Sequence, residues 1–168
     1  MYVDVTGVTA SDPRRTATAY DVRIERTTEC LTAVVKVNTT WREFPKLWRP
    51  MLDDVWAFLG AHPRLRADGH NVMVYRNAVP EVEVAVEVGV QVTRSFEPSG
   101  RVVPSRLPDG EAATARAATL AELGAAHDAV RAWCAAEGRS LTGVSWEVYG
   151  DPDPGSGNFD VAVYWQLA

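Results

Sequence analysis

The sequence predicts an α+β protein in which one antiparallel sheet carries helices on a single side. One observation is internal repetition: residues 69–75 (GHNVMVY) nearly recur as residues 143–149 (GVSWEVY), 74 positions later. A second is that each copy reads as two strands, a helix and two strands, with short hairpin-like links. Because a parallel βαβ array needs long crossovers, these links favour antiparallel pairing. Two similar copies further predict pseudo-twofold symmetry, with a ligand cleft between the repeats.

The chain of 168 residues has the length of one ordinary domain. Residues 1–19 are interpreted as an N-terminal tail, because they contain a loop signal and no strong periodicity. Residues 20–168 are predicted to form a single domain, with repeat one at 20–96 and repeat two at 101–168.

The first copy opens with strands predicted at residues 20–24 and 31–37, which are rich in valine, threonine and isoleucine. Thr40 and Glu43 then form a capping-box pattern at the start of a helix. The apolar stripe of this helix recurs at helical spacing and comprises Phe44, Leu47, Trp48, Met51, Leu52, Val55 and Leu59. Pro50 is expected to kink or split the helix, because proline cannot donate a backbone hydrogen bond.

Two more strands complete the first copy, at residues 71–76 and 81–90. In the second of them, valines alternate with Glu81, Glu83 and Glu87. This alternation is typical of a half-buried strand with one polar face. The acids are therefore interpreted as a solvated strand face rather than a site.

The second copy follows the same plan. Its strands are predicted at residues 102–107, 112–117, 145–149 and 159–167. Thr119 and Glu122 give a second capping box, and Gly138 is suited to end the helix that follows.

Composition excludes several classes of function. A net charge of −5, from 22 acidic and 17 basic residues, argues against nucleic-acid binding, which needs clustered cations to neutralise phosphates. No apolar run approaches the ~20 residues that span a bilayer, and the start of the chain lacks a secretory pattern. No membrane association is therefore expected, and the cytoplasm is the default location. Cys30, Cys134 and the three histidines show no metal-ligand spacing, so neither a metal nor a cofactor is expected.

The two repeated strands differ at one position of chemical interest, where Met73 in the first copy becomes Glu147 in the second. Because side chains alternate along a strand, Glu147 shares a face with Tyr149, and Met73 shares one with Tyr75. The valine-rich opposite faces of both strands are expected to pack on the helices. The face with the glutamate and tyrosines is then expected to surround the pseudo-twofold axis.

A carboxylate among aromatic rings suits a cationic ligand. Burial disfavours the charged form of a carboxylate, so a cation would be accepted as its missing partner. Aromatic faces add cation–π attraction of about 0.5–2 kcal/mol per ring. Glu147 could also be a solvated residue on an exposed strand face. The predicted ligand-binding residues are Glu147, Tyr149, Tyr75, Met73, Trp41 and Trp133. One or two of Trp41, Trp56 and Trp133 are expected to line the pocket, whereas His70 and His127 are interpreted as surface or satisfied residues.

Several segments together resemble the GyrI-like effector-binding family, also known as the AraC-type or BmrR-type ligand-binding domain. The segments are residues 107–113 (LPDGEAA), 121–124 (AELG), 127–133 (HDAVRAW), 146–149 (WEVY) and 160–163 (DVAV). The resemblance covers roughly residues 20–168. Residues 117–119 (AAT) depart from it, since this family usually has Gly-Pro-Tyr there.

The resemblance implies two βαβ-type repeats with a ligand cleft between them, and a Glu147 that faces cationic or aromatic compounds. Among the family's members are sensing halves of transcription regulators, a DNA gyrase inhibitor, stand-alone drug-binding proteins, and hydrolases of cyclopropane-bearing alkylating compounds. The expected function is therefore a multidrug-type binding protein for lipophilic cations. A hydrolase that uses Glu147 to activate water, or a module that inhibits a protein partner such as gyrase, are the alternatives.

Overall fold

The computed structural model describes residues 20–66, 69–76 and 83–168. The predicted tail, residues 1–19, and Glu81 lie outside the described residues. The elements, in chain order, are β1 (Arg23–Thr27), β2 (Cys30–Thr39), α1 (Phe44–Ala61), β3 (Asn71–Arg76), β4 (Val84–Gln91), β5 (Val103–Leu107), β6 (Gly110–Ala117), α2 (Leu123–Ala136), β7 (Leu141–Tyr149) and β8 (Val161–Leu167). The predicted α+β class and antiparallel pairing are confirmed. No helix of the described residues is both long and apolar enough to cross a bilayer.

Helix α1 differs from its prediction because it runs unbroken through Pro50. Pro50 is exposed, so its ring faces solvent and disturbs no packing. The buried stripe on the opposite side of the helix is anchored by Met51, Val55 and Leu59. Packing of that stripe on the sheet supplies most of the stability of a helix, and it tolerates the hydrogen bond that proline removes.

Of the two predicted capping boxes, only the first forms by half. At α1, the side-chain oxygen of Thr40 accepts the backbone N–H of Glu43 at 3.3 Å. Before α2, the Glu122 carboxylate accepts the backbone N–H of Ala118, not that of Thr119, at 3.0 Å, so the second box does not form. Gly138 ends the second helix as predicted, with a φ of 66° that favours glycine.

The eight strands form one sheet in the order β1-β6-β8-β7-β3-β4-β2-β5. If each of β1–β4 is exchanged with its counterpart among β5–β8 (β1 with β5, β2 with β6 and so on), the strand order reads the same from the other end. Two repeats related by a twofold axis at the central β3–β7 pair would produce this symmetry. Each half of the sheet nevertheless takes its outer strand from the other predicted repeat, since β1 pairs with β6 and β5 pairs with β2.

Two very short links force the sheet to curve. Residues 28–29 join β1 to β2, and residues 108–109 join β5 to β6, although the strands of each pair belong to opposite halves. The side-chain hydroxyl of Thr27 lies 3.0 Å from the carbonyl oxygen of Pro108 and 3.2 Å from that of Gly110, where the links meet. The two ends of the sheet therefore come together, and the face turned away from the helices becomes an enclosed face.

This curvature reverses the predicted assignment of the faces. Val72, Val74 and Trp146 were expected to pack on the helices, but they are buried in the enclosed face with Leu107 and Ala112. The face that carries the helices instead holds the methionine, glutamate and tyrosines of the repeat. Alternation correctly sorted the side chains into two sets. It could not assign the helices to one set, because the enclosed face also buries large apolar side chains.

The acid-rich strand is also more buried than predicted. Glu83 is exposed, but β4 lies between β3 and β2, and Glu87 points into the enclosed face with a side chain that is 5% exposed. Its carboxylate accepts hydrogen bonds from Arg76 Nε at 2.6 Å and from the Ser105 hydroxyl at 2.5 Å. Glu87 therefore belongs to a buried ion pair, not to a solvated face.

Candidate functional site

A cleft of about 590 Å³ opens on the helix-bearing face. Its walls come from α1, from the turn that leads into α2, from β3, and from the end of β7 with the loop after it. The apolar lining residues are Phe44, Pro45, Trp48, Leu52, Trp56, Met73, Tyr75, Leu120, Leu123, Tyr149, Pro152 and Phe159. Such a concave and mostly aromatic surface with few polar groups is typical of small-molecule sites.

Glu147 lies beneath this cleft, with a side chain that is only 3% exposed. The hydroxyls of Tyr75 and Tyr149 donate to its Oε2 at 3.0 and 2.5 Å. Nε2 of His127 lies 2.9 Å from its Oε1. Both carboxylate oxygens are thus hydrogen-bonded, as a buried carboxylate requires.

Both tyrosines keep their protons under ordinary conditions. Burial, the negative charge of Glu147 and the hydrogen bond to it raise the pKa of Tyr149 well above its ordinary value of 10. Burial is also the largest cause that raises the pKa of Tyr75, followed by the charges of Glu147 and Tyr149. The two phenols are therefore hydrogen-bond donors to the carboxylate.

His127 continues the network to β8. The indole N–H of Trp165 donates to Nδ1 of His127 at 3.0 Å. Since indole can only donate, Nδ1 must be the unprotonated nitrogen, and the ring proton must lie on Nε2. His127 therefore also donates to Glu147 as a neutral ring.

The resulting network suits a carboxylate. Three groups that can donate point at its two oxygens, and a carboxylate can only accept. Within residues 20–66, 69–76 and 83–168, no lysine or arginine forms an ion pair with Glu147. A buried carboxylate under an aromatic cleft is the central feature of the site.

The walls carry further polar anchors. The indole N–H of Trp56 donates to the side-chain oxygen of Asn71 at 3.0 Å, which fixes the Trp56 ring. The guanidinium of Arg66 lies 4.5 Å from the centre of that ring. The part of the cleft at Trp56 thus already accommodates one cation over an indole face. Outside the lining residues, the Trp41 ring lies 5.1 Å from the Tyr75 ring and is 43% exposed.

Solved structures with the same architecture identify the fold. The C-terminal domain of EcmrR matches with a TM-score of 0.71 and 17% identity, over 89% of this chain and 98% of that one. SAV2435, in a structure bound to tetraphenylphosphonium, matches with a TM-score of 0.63 and 7% identity, over 88% and 94%. The chain has the GyrI-like fold. The expectation from the sequence is confirmed at the level of the fold.

A less similar solved structure is that of a hydrolase. A hydrolase from Listeria innocua matches with a TM-score of 0.53 and 10% identity, over 88% of this chain and 91% of that one. No protein-family model matches the sequence, and no curated protein matches it. At these identities the comparisons establish architecture, and the chemistry has to be argued from the side chains.

Within this GyrI-like fold, the predicted site residues take distinct places. Met73, Tyr75 and Tyr149 line the cleft, and Glu147 lies directly under the two tyrosine hydroxyls. Trp41 contacts the ring of Tyr75 but is not among the residues that line the cleft.

Trp133 departs from the prediction, because it packs against the core beneath α2 and away from the cleft-lining residues. It follows Ala126 and Val130 at helical spacing, so it lies on the stripe that faces the sheet.

Sequence reasoning missed several residues of the site. Trp48 was interpreted as a core residue but lines the cleft. His127 was interpreted as a surface or satisfied residue. His127 is indeed satisfied, but by Glu147 and Trp165, which makes it part of the charge network. The local sequence offered no signal for this role, because the two partners of His127 lie 20 and 38 positions further along the chain.

Proposed function

We propose that this protein binds lipophilic, cationic aromatic small molecules in the cleft, with Glu147 supplying the negative charge. The observation that carries the proposal is a buried carboxylate held by three neutral donors. Such an arrangement keeps a charge in a poorly screened place, where a ligand cation is the missing partner. The predicted cytoplasmic location is retained as part of this proposal.

The geometry supports binding by electrostatic attraction to the Glu147 carboxylate and by contact with aromatic rings. Glu147 is covered by Tyr75 and Tyr149, so a ligand in the cleft touches their rings and hydroxyls rather than the carboxylate itself. A cation about 6 Å from the carboxylate would gain about 3 kcal/mol at an effective dielectric constant of about 20. Ions that spread their charge over a large apolar surface fit this arrangement, because they do not need a direct hydrogen bond.

The likeness to SAV2435 supports the same ligand class. That protein is bound to tetraphenylphosphonium, a large, permanently charged, aromatic cation, and it shares the fold of this chain. The support is an analogy of fold, whereas Glu147 and its donors are observations on this chain.

A titration with tetraphenylphosphonium, monitored by tryptophan fluorescence, tests the proposal. Removal of the charge in Glu147→Gln is expected to weaken binding by at least about tenfold, which corresponds to about 1.4 kcal/mol. The uncharged triphenylphosphine oxide should bind both proteins with similar affinity. Glu83→Gln is the matched control, because it removes a carboxylate from an exposed position. Equal affinity of the Glu147→Gln variant and the wild type for the cation would refute the role of the charge.

A hydrolase is the second candidate, favoured by the His127–Glu147 contact and by the likeness to a hydrolase from Listeria innocua. Both ring nitrogens of His127 are already engaged, so Glu147 would itself have to activate water. Release of more than one equivalent of product per protein from a strained electrophile would establish turnover. A protein-inhibitor role is supported less well, since Glu87 of the acidic strand is buried in an ion pair.

A further inference from the structure

We propose that Trp165 locks His127 as a neutral donor, and that this lock preserves the negative charge of the cleft in mildly acidic conditions. His127 and Trp165 would then be positioning residues that set the selectivity for cations. The inference deepens the proposed function and rests on it for its effect on binding. The lock itself is a property of the free protein and can be measured without a ligand.

The two nitrogens of the His127 ring have different partners. Nε2 of His127 lies 2.9 Å from Glu147 Oε1, and Nδ1 lies 3.0 Å from Trp165 Nε1. An indole nitrogen has a hydrogen and no lone pair to offer, so the Trp165 bond exists only while Nδ1 is unprotonated. Protonation of Nδ1 would set two N–H groups against each other in a place where the His127 side chain is only 17% exposed. Neither donor would then have a partner.

Without such a lock, the same site would lose its charge. A histidine beside a carboxylate is ordinarily stabilised as the imidazolium, because opposite charges attract. An imidazolium at His127 would form an ion pair with Glu147 and bring the charge of the pair from −1 to zero. A cationic ligand would then meet a neutral site. Unperturbed histidines gain their proton near neutral pH, so this loss would fall in the physiological range.

The surroundings of the ring show which groups could oppose the lock. Glu147 from β7 and Tyr75 from β3 face His127, the latter with its ring centre 6.3 Å away. On the far side, the Arg131 guanidinium lies 5.6 Å from the centre of the Trp165 ring and is paired with Asp128 at 2.5 Å. A cation over the indole draws electron density from the ring and makes its N–H a better donor. Arg131 therefore strengthens the bond that holds His127 neutral.

Nitrogen-15 spectra of the imidazole rings test the lock directly in the free protein. The wild type should show His127 protonated at Nε2 only, from about pH 8 to about pH 5. Trp165→Phe keeps an aromatic ring but removes the N–H, so its His127 should change from a neutral ring to an imidazolium as the pH falls through that range. Trp133→Phe is the matched control, since Trp133 packs against the same core cluster and takes no part in the network. An imidazolium or an Nδ1-protonated ring in the wild type would overturn the inference.

Binding of tetraphenylphosphonium tests the consequence. Its charge does not titrate, so any pH dependence belongs to the protein. Wild-type affinity should stay within about twofold between about pH 8 and about pH 5, whereas Trp165→Phe should lose about tenfold at the acidic end. Adding His127→Gln to that variant replaces the ring with a donor that cannot be protonated, and should remove the pH dependence. Weak binding by the wild type at every pH, with the spectra as expected, would reject the proposed function and leave the lock intact. A pH-independent Trp165→Phe variant would reject the lock.

Discussion

Met73 and Glu147 are direct cross-strand partners at the centre of the sheet, where β3 pairs with β7. They are also equivalent positions of the near-repeat in the sequence. The pseudo-twofold axis of the strand order therefore passes between a thioether and a carboxylate. The Met73 sulfur lies 3.6 Å from the hydroxyl of Tyr75 and 3.5 Å from that of Tyr149. The two strands at the centre of this strand order therefore differ at the position that carries the buried carboxylate of the site.

That relationship predicts a severe penalty for Met73→Glu. Two carboxylates would face each other across a non-exposed strand pair, where like charges are destabilising and one of them must take up a proton. The free energy of unfolding, measured in urea at about pH 8, should fall by about 3–5 kcal/mol, the range for an uncompensated buried charge. The deficit should shrink toward about pH 4, where a proton is readily available.

Met73→Leu is the control for this substitution. A volume-conserving apolar exchange should cost less than about 1.5 kcal/mol at both pH values. If Met73→Glu were as stable as Met73→Leu at the higher pH, the buried and poorly screened setting inferred for Glu147 would be wrong.

The central strand residues of the site could be predicted from the sequence, but the residues that surround them could not. Alternation and the repeat correctly grouped Glu147 with Tyr149 and Met73 with Tyr75, because these are local relationships along single strands. The face that carries the helices depends on how the sheet curves. That curvature comes from two-residue links between strands of opposite halves, and which strands pair is a non-local property.

The same limit explains why His127 was not recognised. Its two partners, Glu147 and Trp165, lie 20 and 38 positions further along the chain. Nothing in the local pattern of α2 distinguishes a histidine that meets a carboxylate from one that meets solvent. The boundaries of the helices were more predictable, because capping residues and Gly138 act within a few positions.

The acidic strand offers a second prediction that contrasts two neighbouring glutamates. Glu87→Ala should lower the free energy of unfolding by about 1–3 kcal/mol, because it removes the buried acceptor of both Arg76 and Ser105. Glu83→Ala, at an exposed position of the same alternating pattern, should change it by less than about 0.5 kcal/mol. Urea denaturation of both variants measures the difference. Equal effects would support the solvated strand face expected from the sequence.

The tyrosines of the site predict how stability depends on alkaline pH. The pKa values of Tyr75 and Tyr149 are raised in the folded protein above the value of 10 expected for an unfolded chain. A raised folded-state pKa contributes stability that is complete below about pH 10 and is lost as pH rises, because unfolding then releases protons. Each tyrosine should remove about 1.4 kcal/mol from the free energy of unfolding between about pH 9 and about pH 11.

Tyr75→Phe and Tyr149→Phe isolate this effect from other groups that titrate at high pH. Each variant loses a donor to Glu147 and should be less stable than the wild type at about pH 8, by about 1–3 kcal/mol. Each should also lose less stability than the wild type as the pH rises, since one proton fewer is released on unfolding. The decisive quantity is therefore the slope of stability against pH, measured by urea denaturation at several alkaline values. Parallel slopes in the wild type and both variants would mean that the phenols ionise as readily in the folded protein as in the unfolded chain, and the buried carboxylate network could not be as described.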